Sequence, residues 1–439
     1  MLRKLIPLIL FSFLLIKASS QQNALWYFGR QAALSFVPGS GPGFPSPLTN
    51  SAMNAGEGCS SICDSAGNLL FYTNGEVIYN KNHQVMQNGD NLLGHISSFQ
   101  SSAIIQQPDS RNIFYVFTAD AYENSYANGY RYSIVDMNGD NGNGAVTTKN
   151  ILLQAPSTER LAIARHANGI DMWVITNDLN SDIFRAWLIT CNGLQPAPVI
   201  SSAGVPVTQG IGALKASPDG TKLCQTQFPD PDIVALENFF QVFDLDNATG
   251  SISNARSITI SRSLYNACEF SPNSQLLYVT KALATEIDQF QIGNNTEAAI
   301  IASKSSIPAV KGLYGMQLGN DQRIYVSRIA TKLSVINQPD NQGPACSFEA
   351  DKIDLGGRFS GINLPAAVND FFVLNFTYQI LDSCNGVVQF FGTSSLGGAV
   401  QWDWDFGDAT ISNQQNPVHT FSPPNKLYNV KLKTTTSTT

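Results

Sequence analysis

The chain has 439 residues, of which 26 are Lys or Arg and 33 are Asp or Glu, for a formal net charge of -7. That length allows two or three domains, and with only 13% charged residues the surface is solubilised mainly by Asn, Ser, Thr and Gln. No basic stripe exists to neutralise phosphates, so nucleic acid is not an expected partner, and the near absence of amphipathic helical periodicity points to β-structure.

Residues 1–20 have the make-up of a secretory signal peptide. Arg3 and Lys4 precede an apolar run from Leu5 to Ile16, and Ala18 and Ser20 supply the small residues a signal peptidase needs. The run is too short for a comfortable transmembrane helix, and no later segment is long and apolar enough to span a bilayer. The mature chain is therefore expected to begin near Gln21 and to leave the cytoplasm.

From there a turn followed by a short aromatic strand recurs six times, roughly every fifty residues. The copies are Gly67–Thr73, Arg111–Val116, Ile170–Ile175, Gly220–Cys224, Ser274–Thr280 and Asp321–Ser327. Around the fifth copy, Asn266–Phe270 turns through Ser271-Pro272-Asn273 into the copy itself, since Pro cannot donate to a ladder and Asn and Ser favour turns. Ile287–Ile292 is read as a third strand and Ala299–Ser303 as a fourth. Four antiparallel strands per repeat make the blade of a β-propeller. Leu25–Gly29 has the look of a second strand without a first, and residues 360–369 of a first strand without a second. Joined, they predict a seven-bladed ring over residues 23–372, with six blades as the other count.

Beyond Phe376 the pattern changes. Val387–Phe391 forms a strand, and in Val400–Phe406 strict alternation puts Val400, Trp402, Trp404 and Phe406 on one face. Two further strands, Asn416–Phe421 and Tyr428–Leu432, follow.

Three stretches carry family resemblances. The Ser217-Pro218-Asp219-Gly220 turn before a strand resembles WD-type and TolB-like propeller repeats, and with no Trp-Asp signature the TolB-like form is the better match. Trp404-Asp405-Phe406-Gly407-Asp408, with Asn416, Pro417, His419, Phe421 and Tyr428, resembles the PKD domain, which implies an immunoglobulin-like sandwich over residues 376–439 and a structural role for these residues. Ala409 stands where that motif usually has glycine. Residues 25–29, 54–59 and 67–75 resemble the N-terminal region of large PKD-containing surface proteins of gliding bacteria that use type IX secretion. The resemblance implies adhesion at the cell surface and a longer multidomain protein, with a sorting domain beyond this sequence.

Sites are sparse. His83, His95, His166 and His419 fall in no metal-ligand spacing, and neither a nucleophile elbow nor a phosphate loop occurs. Asp136, Asn138 and Asp140, on a Gly-rich loop, are a calcium candidate by ligand type, or simply a hairpin between outer strands. No other cofactor is called for. The seven cysteines form no zinc motif; Cys224 and Cys268 read as core residues, whereas Cys191, Cys346 and Cys384 lie near turns. The aromatics Phe71, Tyr115, Trp173, Tyr278 and Tyr325 are expected to pack between blades. The expected function is non-catalytic recognition of a protein or glycan at the cell surface. The alternative is a hydrolase or lyase of extracellular polysaccharide, which a cluster of close, buried Asp, Glu or Tyr at the channel mouth would favour.

Overall fold

The computed structural model describes residues 21–40, 43–227, 239–260, 265–281, 284–293, 296–367, 374–382, 385–394, 400–423, 426 and 428–436. The signal-like segment 1–20, residues 368–373 and Cys384 lie outside them. The chain divides into two compact units, residues 20–370 and 371–439.

In the larger unit, antiparallel sheets follow one another along the chain over residues 25–48, 60–80, 102–154, 161–207, 214–259, 265–308 and 316–354. The last five have four strands or more in meander order, except that in sheet 161–207 the third strand Ser181–Thr190 pairs with both Gly193–Leu194 and Val199–Val207; the first two have three. All six copies of the aromatic repeat fall on the second strand of a sheet: Leu69–Thr73, Ile113–Ala119, Met172–Asn177, Lys222–Thr226, Leu276–Lys281 and Ile324–Val326.

The first strands of successive sheets are neighbours, so Leu161–Arg165 lies between Ser102–Gln106 and Leu214–Ala216, and Tyr265–Phe270 between Leu214–Ala216 and Met316–Leu318. Lys215 on one such strand donates to Glu269 Oε2 (3.1 Å) and Gln317 Oε1 (2.6 Å) on the next two, a polar girdle at the inner edge. The apolar cores lie between sheets, not within them. Phe71 and Phe114 meet edge to face at 5.5 Å across one boundary, and Phe184 and Phe243 at 4.9 Å across another. Phe71, Tyr115, Trp173, Tyr278 and Tyr325 are all buried in such positions. First and last sheets share a core too, in which Trp26 meets Tyr325 edge to face at 5.5 Å. Sheets radiating from a common axis and returning to the first are the architecture of a β-propeller.

Two expectations are corrected. Residues 299–303 are not a strand: Glu297–Ala302 is a short α-helix, and the fourth strand is Ser305–Pro308. Thr296 caps this Ala-rich segment by accepting the Ala299 N–H, and local helix propensity wins over the apolar run. Nor is the stretch after Phe359 a ladder partner of Trp26, which pairs with Leu34 instead. Phe359 makes a single antiparallel bridge with Arg30 (N–H to O, 2.8 Å). Ile362 and Ala366 then donate to the carbonyls of Gly56 and Cys59, with Pro365 between them unable to extend a ladder.

The smaller unit contains two three-stranded sheets, one of Leu374–Asp382, Val387–Ser394 and Val418–Thr420, the other of Val400–Asp405, Ile411–Ser412 and Lys431–Thr436. Trp402, Trp404 and Phe406 point inward as alternation requires, onto Phe390, Phe421 and Tyr428. Ala409 has φ +71°, the left-handed conformation that glycine adopts without strain.

Cys59, Cys63, Cys191, Cys224, Cys268 and Cys346 are all free thiols, and Cys224 and Cys268 are buried. Among the described residues no helix is long and apolar enough to cross a membrane.

Candidate functional site at the entry face

In a ring of meanders the first strands all run the same way, so the connections that enter them share one face. The loop from second to third strand opens on that face as well. Segments 54–59, 94–101, 120–129, 155–160 and 208–213 converge there.

Residues 98–101 plug the middle. The Gln100 side chain donates to Leu214 O (3.0 Å) and accepts from the Leu214 and Leu161 N–H groups (2.7 and 3.2 Å). Asn363 Nδ2 donates to Phe99 O (2.8 Å), and Gly58 N–H to Ser98 O (3.0 Å). A Cβ on Gly58 would stand 2.1 Å from Ser101 N, so only glycine permits this approach.

Three carboxyl groups meet against the plug. Glu159 is buried, its Oε2 accepting the Phe99 N–H (2.7 Å) and its Oε1 the Tyr122 N–H (3.0 Å). Burial pushes its carboxyl up to about 7 against the pull of these two donors. Glu57 is raised to about 8, first by burial and then by Glu159 and Glu123. The Ser97 hydroxyl lies 2.6 Å from Glu123 Oε1 and 3.5 Å from Glu57 Oε1. Arg160, next to Glu159 in the chain, offers no ion pair. Its guanidinium is fully buried and donates to the carbonyls of Thr226 (2.9 Å), Gln209 (2.8 Å), Gly210 (3.1 Å) and Ile211 (2.7 Å).

Tyr126 completes the cluster. Only 5% of it is exposed, its hydroxyl has no hydrogen-bond partner among the described residues, and burial, Glu159 and Glu123 all raise its pKa, while Arg160 opposes. Ser125 and Tyr126 are consecutive left-handed residues (φ +52° and +58°), unusual for a bulky side chain. The ring passes so close to Gly210 that a Cβ there would lie 2.3 Å from the phenol oxygen.

Beside the cluster opens a polar cleft of about 590 Å³, lined among others by Glu76, Asp90, Asn91, His95, Glu123 and Asn124. Buried Asp120 holds its wall, with Oδ2 accepting from Asn124 Nδ2 (2.8 Å) and the Asn128 N–H (2.7 Å). Ile96 and Tyr122 are exposed nearby, at 40% and 62%.

The calcium candidate is elsewhere. Asp136, Asn138 and Asp140 sit on the connection between the third and fourth strands of sheet 102–154, which opens on the opposite face. Asp136 Oδ1 accepts the Asn138 N–H (2.9 Å), and Asp140 Oδ2 lies 3.3 Å from Asn143 Nδ2, the bonds of a hairpin turn. Among the described residues no group of three or more His, Cys, Asp or Glu is placed to hold a metal ion.

In the smaller unit the motif residues come together as structure. Trp404 Nε1 donates to Gln414 O (2.8 Å), Asp405 Oδ1 accepts the Gly407 N–H (2.9 Å), and Asn416 Oδ1 accepts the Gly392 N–H (3.1 Å). Pro417 O accepts the Phe390 N–H (2.9 Å). His419 stacks on Phe406 at 4.1 Å and reaches Asp408 Oδ2 at 2.8 Å, while Phe421 and Tyr428 meet at 4.5 Å.

Sequence reading did not find Glu57, Ser97, Glu123, Tyr126 or Glu159. They belong to separate connections and share no motif. The one local signal is the adjacent Glu159-Arg160 pair, two charges at the threshold of an apolar strand.

No protein-family model matches the chain, and no curated protein matches it. Solved structures similar to it include a protein of unknown function from Desulfotomaculum acetoxidans (12% identity, 77% of this chain and 97% of that one, TM-score 0.46). The hydrazine synthase of Kuenenia stuttgartiensis is 10% identical over 83% of this chain and 95% of that one (TM-score 0.41). A periplasmic gluconolactonase of Pseudomonas aeruginosa is 12% identical over 74% and 95% (TM-score 0.36). At these scores the likenesses say nothing of activity, and the fold stands on its own sheet order.

Proposed function

We propose that the chain is an exported recognition protein of the bacterial cell surface, with a seven-bladed, TolB-like propeller as binding platform and a PKD module as spacer or contact unit. The ligand is a protein or a glycan held at the entry face. The observation that carries this reading is the convergence of four separate connections, bearing Glu57, Ser97, Glu123, Tyr126 and Glu159, beside an open polar cleft. Connections at a face of a rigid scaffold vary without cost to the cores between sheets, which suits them to ligand recognition. The secretory segment and the resemblance to surface proteins of gliding bacteria support export by type IX secretion. Glycan arrays and pull-downs from surface extracts test the reading: the ligand recovered by the wild type is expected to be lost with Glu123→Lys. A ligand that binds both proteins equally contradicts it.

The acid cluster favours a second reading, a hydrolase or lyase of extracellular polysaccharide. A carboxyl group raised to about 8, as at Glu57, is protonated at neutral pH and suited to donate a proton, with the exposed Glu123 nearby. Release of reducing ends or unsaturated products from a polysaccharide panel, abolished by Glu57→Gln, would establish this reading. Its absence across the panel leaves recognition.

A further inference from the structure

The entry-face acids are in contact with no cationic side chain among the described residues. Among the described residues no Lys, Arg or His forms an ion pair with Glu57, Glu123 or Glu159. Arg160 commits its N–H groups to four backbone carbonyls and acts on Glu159 and Tyr126 only through space, and Lys149 is engaged by Asp90 at the cleft wall, through Oδ1 (3.3 Å) and the carbonyl (2.9 Å). Independently, the Tyr126 hydroxyl, buried against Gly210 and within electrostatic reach of Glu159 and Glu123, has no hydrogen-bond partner among the described residues. A buried hydroxyl left unpaired costs free energy that a ligand donor would recover.

We infer that this site takes the ammonium group of a lysine presented by a protein partner. The inference rests on the recognition reading and narrows it to one chemistry. An ammonium offers three N–H donors and one positive charge to a set of carboxylate and phenol acceptors. Reach decides between sources of the amine. Glu159 and Tyr126 are buried, Glu57 is half-buried and Glu123 is exposed at the cleft, so a cation meets Glu123 first and the buried acceptors last. A lysine delivers its charge on a flexible four-carbon stem, whereas the amine of an amino sugar is fixed to a bulky ring. Exposed Tyr122 and Ile96 offer apolar surface for the stem.

The ligand is coupled to protons. Glu57 faces Glu159, Glu123 and the Ser97 hydroxyl; Glu159 faces Glu123, Arg160 and two backbone N–H groups. Tyr122 lies beside Tyr126, His95 Nδ1 accepts the Ser97 N–H, and Glu76 holds the Ile96 N–H. Without a cation the buried acids retain protons; binding an ammonium expels them, so affinity rises with pH until they are ionised.

The test is ligand-observed NMR of the whole chain with the peptide acetyl-Gly-Gly-Lys-Gly-Gly-amide at pH 6.0 and 8.5. Affinity is expected to rise about tenfold between these pH values. Tyr126→Phe is expected to weaken it several-fold, and Glu57→Gln to flatten the pH profile, with folding of both checked by circular dichroism. Ser97→Ala, a milder change, is expected to weaken binding as well. Equal binding of the lysine-acetylated peptide, or wild-type affinity in all three variants, overturns the inference. Binding of a glucosamine oligomer in place of the peptide overturns it also, but leaves the recognition reading standing. Only the absence of any entry-face ligand in the arrays and pull-downs removes that reading itself.

Discussion

Arg160 and Glu159 are adjacent, oppositely charged and buried, yet they do different work. Arg160 ties four carbonyls of segments 209–211 and 226 together, and burial lowers its pKa to about 10. Arg160→Met removes the buried donors to all four carbonyls, of which Gly210 O keeps the Glu159 N–H (3.0 Å), and is expected to cost ~3 kcal/mol or more in denaturant unfolding. Glu159 and Glu57 act on pH dependence. Their folded-state values, about 7 and about 8, stand above the ordinary 4.5. Between those limits the folded protein holds protons that the unfolded chain has released. Stability is therefore fully present below pH ~4.5, falls as pH rises through the folded values, and levels off above them. The slope is at most ~1.4 kcal/mol per pH unit for each group, and less for the half-exposed Glu57. Urea midpoints between pH 5 and 9 should trace this decline, and Glu57→Gln should make it shallower. A midpoint that rises over this range contradicts the assignment.

Elements were legible where a local rule coincides with the global fold. The six aromatic copies all became second strands because turn, alternation and burial agree there. The strand expected over Ala299–Ser303 is a helix over Glu297–Ala302 because a short apolar run does not distinguish strand from helix, and the Thr296 cap decides it. Thr296→Ala is expected to cost ~1 kcal/mol by loss of that cap, measured by denaturant unfolding. The opposite sign is expected at Ala409, whose φ of +71° strains an L-residue. Ala409→Gly should stabilise the smaller unit by roughly 0.5–1 kcal/mol, read as a shift in its melting temperature. The entry-face cluster was illegible for a different reason: its members stand from position 57 to position 159, and only ring geometry brings them together.

At the scale of the whole molecule, ring closure differs from the expected shared ladder. Among the described residues the ends meet through the Arg30–Phe359 bridge, the backbone bonds from Ile362 to Gly56 and Ala366 to Cys59, and the packing of Trp26 on Tyr325. Apolar contact between first and last sheets closes the ring, and the irregular stretch 360–367 runs along residues 55–59. That stretch also helps hold the plug, through Asn363 on Phe99, so closure and the entry-face site are mechanically linked. The most direct measurement of that link is a pH titration of the glutamate carboxyl carbons by NMR, with Glu57 assigned through Glu57→Gln. The account predicts a Glu57 carboxyl that titrates near 8 and moves down in Glu159→Gln. A Glu57 that titrates at its ordinary value of 4.5, indifferent to Glu159, would show that the ring does not bring these acids together.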